Sequence, residues 1–369
     1  MDGGSSLIDH FEKISDPRID RTKLHKLTDI LVIGVIGVLC GADAWDDIVF
    51  VAKEKKDWLK RFLELPNGIP SADTIARVYA RISPSEFEKA FSSWVKDSIH
   101  LSDGEIVAID GKRLRASHDH TNDKKAIHMV SAWAQSNGVV LGQMKVDDKS
   151  NEITAVPQLL ELLDIKGCIV TLDAMGCQKD IARAILEKKA NYVFGLKGNQ
   201  GTALEVTKEY FDTTKIPDVH QYETVDNDHG RLETRSYSIA PIANLEELKE
   251  WPGIQSIACV ESRREIKGVE SCETRYYILS ILPDVKKAAA AIRGHWSVEN
   301  SLHWVLDVTF DEDRNRVRRG EASENLAVVR HVALNLLKKE QTLKKSIKKK
   351  RFKCAMSNEY LTKVLAGAI

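Results

Sequence analysis

Apolar residues recur at helical spacing through the first hundred residues, which predicts a helical segment. Residues 46–63 show the pattern most clearly, with an apolar stripe and an outer face rich in Lys and Glu. The most apolar run, residues 30–42, is too short to span a bilayer and predicts a buried helix. We therefore predict a helical N-terminal domain at 1–100. Its short helices with basic turns fit either DNA recognition or internal packing.

From residue 105 onward the pattern changes to short apolar runs separated by turns, which is typical of an α/β domain. Two of these runs, IVAI and CIVTL, lack the alternation of a one-sided strand and belong in the centre of a sheet. The order β-β-β-α-β-α-β predicts a mixed sheet with helices on its faces. The strands are predicted at 105–110, 127–135, 139–146, 168–174 and 191–197, and the helices at 154–164 and 178–190.

The second half of the chain adds strand-like segments rich in Arg, Glu and Tyr, and then returns to helical spacing. The final stretch, residues 338–353, has nine cations against one anion. Such a stretch fits binding to a polyanion, and a poorly ordered, solubilising end is the alternative. The predicted organisation is the helical domain at 1–100, the first part of the core at 101–202, a β-rich insertion at 203–285, core helices at 286–337, and a basic C-terminal tail at 338–369.

Composition is that of a globular protein, and a net charge of zero hides an uneven distribution. Residues 310–369 have 15 Lys and Arg against 7 Asp and Glu, whereas the middle of the chain is acidic. An acidic centre suits cation binding and a basic end suits polyanions. The six cysteines form no CxxC pair or zinc-type spacing, and no signal peptide is recognisable. A reduced, cytoplasmic protein without a membrane partner is the expectation.

Two central strands end in a carboxylate close to a glycine. The first ends in Asp110-Gly111 and the second in Asp173. If the strands are parallel neighbours, both carboxylates lie at one edge of the sheet, where their repulsion is relieved by a cation. Oxygen ligands of this kind select Mg²⁺ or Mn²⁺. The alternative for Asp110 is a strand that simply runs into a polar turn.

A polar stripe on a later helix would face such a site. On a helix, the polar positions Trp296, Glu299, Asn300, His303 and Asp307 share one face, with Arg293 one turn back. The opposite face holds the apolar residues Val298, Leu302, Val305 and Leu306. A site-facing stripe is one reading, and a solvated face with a stray Trp is the other.

Several motifs in this order resemble the DDE transposases of bacterial insertion sequences, and more narrowly the H-repeat-associated transposases. The motifs are AIDGKRLR, IHMVSAW, KSNEITAVPQLLELLDIKG, TLDAMGCQKDIA, LKGNQG, HGRLETR and RGHWSVENSLHWVLDVTFDED, and they span most of the chain. The resemblance implies an RNase H-like mixed sheet with a β-rich insertion before the last catalytic helix. It also implies that Asp110, Asp173 and Glu299 are the catalytic, metal-binding carboxylates.

The implied chemistry is metal-dependent cleavage of transposon ends followed by strand transfer into target DNA. Two Mg²⁺ or Mn²⁺ ions held by the three carboxylates would flank one scissile phosphate. The expected partner is double-stranded DNA, both element ends and target, bound by a homodimer at the nucleoid. The chain departs from the Tyr-Arg-Glu-Lys signature of related families, because the Arg293–Glu299 spacing is longer and the downstream Lys is absent. His303 or Arg314 are candidates to replace that Lys.

The same resemblance and the charge pattern name candidate DNA contacts. Cations near the strand ends would neutralise phosphates, and Trp296 would stack on an unpaired base. Surface charge and a capping or core Trp are the respective alternatives. Glu233 is part of the HGRLETR motif that would meet DNA on the insertion. The candidate contacts are Lys112, Arg113, Lys197, His229, Arg231, Arg293, Trp296 and His303.

Three functions remain open at this point. An active cut-and-paste transposase accounts for all motifs. A catalytically silent, transposase-derived DNA-binding protein accounts for the basic segments, although intact Asp110, Asp173 and Glu299 count against simple decay. A different metal-dependent nuclease on the same fold accounts for the acidic residues but not for HGRLETR or the basic end. Inverted repeats just outside the gene would favour the first.

Overall fold

A computed structural model describes residues 6–118, 125–147, 150–213, 219–228, 231–243 and 245–366. These residues form an α/β structure in which helices surround one mixed sheet. The helices in the first hundred residues are α1 (Leu7–Phe11), α2 (Leu27–Leu39), α3 (Trp45–Glu54), α4 (Lys56–Leu59), α5 (Ala72–Tyr79) and α6 (Pro84–Ser98).

The apolar run predicted to be buried forms α2, which lies in the core of the helical part. Two glycines let neighbouring elements approach it closely. A Cβ atom at position 34 would lie 2.1 Å from the Tyr79 hydroxyl, and one at position 37 would lie 2.7 Å from Ile48 Cγ1. Within the described residues, no helix is both long and apolar enough to cross a lipid bilayer.

The described strands form a nine-stranded sheet in the order β3-β2-β1-β4-β5-β9-β8-β7-β6. The strands β1, β2 and β3 are an antiparallel meander, β1, β4 and β5 are parallel, and β9 returns antiparallel to β5. The strand bounds are β1 (Ile106–Arg113), β2 (His128–Ala134), β3 (Val139–Lys145), β4 (Ile169–Leu172), β5 (Asn191–Leu196), β6 (His220–Asp228), β7 (Arg231–Pro241), β8 (Ser256–Ile266) and β9 (Val269–Leu279).

Helices cover both faces of this sheet. Between the strands lie α7 (Glu152–Leu162) and α8 (Lys179–Glu187), and the β-rich segment begins with a helix that the sequence pattern did not indicate, α9 (Gly201–Asp212). The four strands that follow extend the main sheet through the pairing of β9 with β5. After them come α10 (Val285–His295), a π-helical turn (Glu299–His303), α11 (Trp304–Thr309), α12 (Ala322–Lys339), α13 (Ile347–Met356) and α14 (Asn358–Leu365).

The expectation of a basic tail at 338–369 is wrong for residues 347–365, which fold as α13 and α14 against the N-terminal helices. Apolar residues between the cations, among them Cys354 and Leu361, belong to the main core. Buried contacts link the two ends of the chain, because Arg351 Nε donates to the carbonyl of Val38 at 3.0 Å and Trp58 Nε1 donates to Thr362 at 3.2 Å. The cations of this segment therefore lie on folded helices.

The helical part and the sheet share one hydrophobic core, and a buried carboxyl group lies at their junction. Glu88 of α6 accepts hydrogen bonds from the backbone N–H of Gln143 in β3 at 2.9 Å and from Ser92 at 3.0 Å. Its other oxygen and Gln143 Oε1 are buried without a partner among the described residues. Burial raises the pKa of Glu88 to about 8, so the folded protein favours the neutral acid.

Glu88→Gln should stabilise the protein at pH 8 by roughly 2 kcal/mol and have little effect near pH 5. Between about pH 4.5 and 8 the folded protein holds a proton that the unfolded chain has lost, so the wild-type free energy of unfolding falls as pH rises. The glutamine stays neutral and can donate to Gln143 Oε1. Denaturant unfolding at both pH values measures the difference, and the exposed Glu54→Gln is the control. Equal effects of Glu88→Gln at the two pH values would contradict this assignment.

Candidate active site

The first two candidate carboxylates meet at one edge of the sheet because β1 and β4 are parallel neighbours, an arrangement that the sequence allows but does not require. Ala108 pairs with Thr171, and continuing this register past the end of β4 brings Asp110 beside Asp173. Side chains alternate along a strand, so both carboxylates lie on the face of the sheet that carries Thr171. This face packs against α10, where Thr171 Oγ1 lies 3.0 Å from His295 Nδ1.

Asp173 is held by the turn that follows β4. Its Oδ1 accepts hydrogen bonds from the backbone N–H groups of Met175 at 2.9 Å and Gly176 at 3.3 Å. A Cβ atom at position 176 would lie 2.6 Å from Leu172 Cδ2, so a glycine is needed for the turn to close. The hydrogen bonds fix one carboxylate oxygen and leave the other for a ligand.

Glu299 comes from the helical segment that crosses this edge. It is exposed and opens the π-helical turn between α10 and α11, and such turns are frequent at functional sites. The apolar face of the segment is buried as predicted, including Val298 and Leu302. The segment thus has its apolar face in the core and presents Glu299 on the opposite side.

The three carboxylates line one cavity of about 1090 Å³, together with Lys197, Arg275 and Trp296. Burial raises the pKa of Asp110 to about 7, and the carboxylates of Glu152, Asp173 and Glu299 contribute to the same direction. Asp110 therefore lies in a field of like charge that a bound cation would relieve. In the part of the chain that the structure describes, no group of three or more His, Cys, Asp and Glu side chains already lies close enough together to hold a metal ion.

Comparison with known proteins identifies the family. The family model described as Transposase DDE domain matches residues 101–336, and the one described as DDE_Tnp_1-associated matches residues 8–95. The chain belongs to the DDE transposases. Among relatives, it is 44% identical to the "Putative transposase YncI" of Escherichia coli O157:H7, with 98% of this chain and 95% of the relative covered. It is 41% identical to the "H repeat-associated putative transposase YhhI" of Escherichia coli K12, with 98% of each covered.

A solved structure is also similar to this DDE transposase. It is a piggyBac transposase synaptic complex with hairpin DNA, 13% identical, with a TM-score of 0.45 and coverage of 98% of this chain and 80% of that chain. A TM-score at this level carries no argument. The family model and the relatives confirm the transposase resemblance that the motifs indicate, and the H repeat-associated relatives confirm its narrower form.

Lys112 of the transposase is not available to a DNA phosphate, and this corrects the sequence prediction. Its side chain is only 10% exposed, and its Nζ lies 2.6 Å from Asp307, 3.2 Å from Asp313 and 3.3 Å from Glu312. Burial alone would lower the pKa of Lys112, but the carboxylates of Glu312, Asp307 and Asp313 raise it above its ordinary value. Lys112 therefore neutralises an acidic cluster behind the site.

His303 is also placed differently from the prediction of a DNA contact. The side chain is 13% exposed, and Nδ1 lies 3.6 Å from Asp110 Oδ2. Burial is the main reason that the pKa of His303 is lowered to about 3, and the Lys112 ammonium adds to the effect. A neutral imidazole packed beside Asp110 supports the position of that carboxylate, and its burial contradicts a direct contact with DNA.

The remaining candidate DNA contacts within the described residues differ in where they lie on the transposase. Arg113 is exposed at the end of β1, and Lys197 is exposed at the cavity wall. Arg231 and Arg293 line an adjoining cavity of about 350 Å³ that shares Trp296 and Glu299 with the first. His229 lies outside the described residues.

Trp296 has a cation on its ring. The guanidinium carbon of Arg275 lies 4.6 Å from the centre of the ring, and Trp296 lines both cavities. The interpretation as a core Trp is therefore incomplete, since part of the ring faces the groove between the carboxylates and the insertion. Stacking on a base stays a prediction.

Sequence reasoning missed a carboxylate that acts on Asp110 from outside the cavity. Glu152 Oε1 lies 3.0 Å from His128 Nε2. The pair explains the glycine after Asp110, because a Cβ atom at position 111 would lie 2.2 Å from Glu152 Oε1. Among neighbouring carboxylates, Glu152 contributes most to the raised pKa of Asp110. In the sequence it follows the N-cap Asn151 and therefore resembles an ordinary acidic residue in a first helical turn.

Lys112→Gln should lower the free energy of unfolding by about 3 kcal/mol, because it leaves buried carboxylates without a cation. The control is Arg113→Gln, which removes the same charge from an exposed neighbour and should leave stability within about 0.5 kcal/mol. Denaturant unfolding measures both. A Lys112→Gln protein as stable as wild type, but weaker in DNA binding, would restore the original prediction for this residue.

Proposed function

We propose that this transposase cleaves DNA at the ends of its element and joins the freed 3′ ends to target DNA, with Asp110, Asp173 and Glu299 as its catalytic carboxylates. The observation that carries the proposal is that these three side chains, from distant parts of a DDE transposase chain, line one cavity. Lys197 in the wall of this cavity, and Arg231 and Arg293 in the adjoining cavity, supply positions for phosphates.

We further infer that the core is RNase H-like. The inference is supported by the sheet order β3-β2-β1-β4-β5, with an antiparallel meander followed by two strands parallel to β1. The proposed domain division keeps 101–202 and 286–337 as the core and 203–285 as the insertion. The helical part at 1–100 shares its hydrophobic core with the sheet, so any role in DNA binding would be exercised by a surface rigidly attached to the catalytic part.

The carboxylates fit divalent cations by their chemistry. Oxygen donors select Mg²⁺ or Mn²⁺, and Asp110 lines the same cavity as Asp173 and Glu299. Asp110, Asp173 and Glu299 would hold the ions, in the two-ion arrangement expected for this family. When bound, such ions supply Lewis-acid activation for cleavage of a phosphodiester bond. Glu299 is exposed, so its side chain is free to turn toward the two aspartates.

The chain's own residues would position the DNA. Lys197, Arg113, Arg231 and Arg293 would contact phosphates of double-stranded DNA, which fixes register without reading sequence. Trp296 would stack against a base at the cut end. Because an element has two ends, a homodimer at the bacterial nucleoid, in the cytoplasm, is the assembly and location that we propose.

A catalytically silent, DNA-binding transposase is the second candidate. It would use the exposed arginines of the adjoining cavity, Arg231 and Arg293, to bind DNA and would need no metal ion. The two candidates share the family, the fold and the DNA partner, and they differ only in whether the carboxylates act.

Excision in cells tests the proposal. A plasmid carries the gene's native flanks around a marker, and the protein is supplied in trans. Wild type should excise the marker, and Asp173→Asn should reduce excision to background, because one metal-binding carboxylate is lost. Asp180→Asn is the control, since it removes the same charge from an exposed position in α8 and should excise normally.

Excision by Asp173→Asn at the wild-type level would contradict the assigned site. Background excision by all three proteins, together with wild-type binding to the same flanking DNA, would favour the silent candidate.

A further inference from the structure

The inner face of the insertion carries an arginine cluster around one buried carboxylate. On β7, alternate residues face α10, and Tyr237 and Ile239 pack there in an apolar cluster. The same face continues outward with Glu233 and Arg235. The apolar half anchors the insertion, and the polar half extends beyond it toward the catalytic edge.

Glu233 is 1% exposed and surrounded by three guanidinium groups. Its Oε2 lies 2.6 Å from Arg235 Nη2 and 3.6 Å from Arg231 Nε, and its Oε1 accepts from Arg264 Nε at 2.9 Å. Burial alone would raise the pKa of Glu233, but these cations hold it below its ordinary value, Arg264 contributing most. Arg235 also pairs with Asp226, so two carboxylates face three guanidinium groups and the cluster keeps one excess positive charge.

The excess charge faces the groove beside the active site. Arg231 and Arg264 are 46% and 43% exposed, so their outer nitrogens remain open to solvent. With Arg235 they line the 350 Å³ cavity whose wall also includes Glu299. A cluster that served stability alone would gain little from this placement, because buried ion pairs are weak contributors to stability.

We propose that Glu233 is a positioning residue that, with Arg235 buried against it, holds Arg231 and Arg264 as a binding surface for the phosphodiester backbone of DNA leading to the catalytic edge. This proposal rests on the proposed function and adds to it Arg264 as a DNA contact and the positioning role of Glu233. A buried glutamate fixes the directions of long arginine side chains, so that less conformational entropy is lost when a phosphate binds. Glu233 itself makes no contact with DNA.

For the loss of Glu233, the proposal predicts a change in DNA affinity opposite to the one that net charge alone predicts. Removing an anion from a surface that binds a polyanion should strengthen binding if only net charge matters. If Glu233 positions the arginines, its removal should weaken binding and reduce the number of phosphates engaged. The number of phosphates engaged is read from the slope of the logarithm of the binding constant against the logarithm of salt concentration.

The test measures binding of the full chain to a fluorescein-labelled DNA duplex of random sequence, with EDTA present and over a series of KCl concentrations. Glu233→Gln should weaken binding about tenfold and lower the magnitude of the salt slope by about one to two. Glu265→Gln is the matched control, because it removes the same charge from the outer face of the neighbouring strand β8. It should bind as wild type or slightly more tightly.

Three outcomes would overturn the proposal: Glu233→Gln binding as tightly as wild type, weaker binding with an unchanged salt slope, or wild type binding no duplex. If Glu233→Gln does not fold, Arg264→Gln replaces it. That variant leaves the Glu233–Arg235 pair in place and should lower the slope by about one, and an unchanged slope overturns the proposal. Binding is measured here without metal ions, so a failure of the catalytic proposal is seen separately, in the excision assay.

Discussion

The parallel pairing of β1 with β4 is the constraint on which the site depends. It places two carboxylates side by side at the edge of a sheet, an arrangement that is unfavourable without a cation. The rest of the fold keeps that edge in position. The N-terminal helices, the sheet and the C-terminal helices share one core, and the segment that carries Glu299 crosses the edge with its apolar face buried.

The structure compensates charge in some places and leaves it uncompensated in others. Behind the site, Lys112 neutralises the acidic cluster of Asp307, Glu312 and Asp313. At the site, Asp110 faces further carboxylates, with a neutral His303 beside it. On the insertion the excess charge is positive, because three arginines surround Glu233. The anionic edge of the sheet therefore lies next to a cationic groove, an arrangement that suits the proposed action on a phosphate backbone.

The sequence pattern predicts those features of the fold and the site that depend on residues close together along the chain. The apolar strands, the glycine-bounded carboxylates and the two faces of the Glu299 segment follow from spacing along the chain, and the family resemblance supplied their proposed roles. The sequence does not reveal that Lys112 and His303 are buried, because the residues that they contact lie far away along the chain. Lys112 meets carboxylates at 307–313, and His303 meets Asp110. The C-terminal segment was read as a tail because its cations obscure apolar residues such as Leu361 that hold it in the core. Glu152 resembles an ordinary acidic residue in the first turn of a helix, and only the fold brings its charge close enough to raise the pKa of Asp110.

Manganese binding in the absence of DNA tests the central claim most directly. Isothermal titration should show that wild type binds Mn²⁺. Glu299→Gln should bind Mn²⁺ with an affinity lower by a factor of about ten or more, because one ligand is lost. The control is Glu261→Gln, an exposed carboxylate on β8 that should not change the affinity. Equal Mn²⁺ binding by wild type and Glu299→Gln would contradict a site built from Asp110, Asp173 and Glu299.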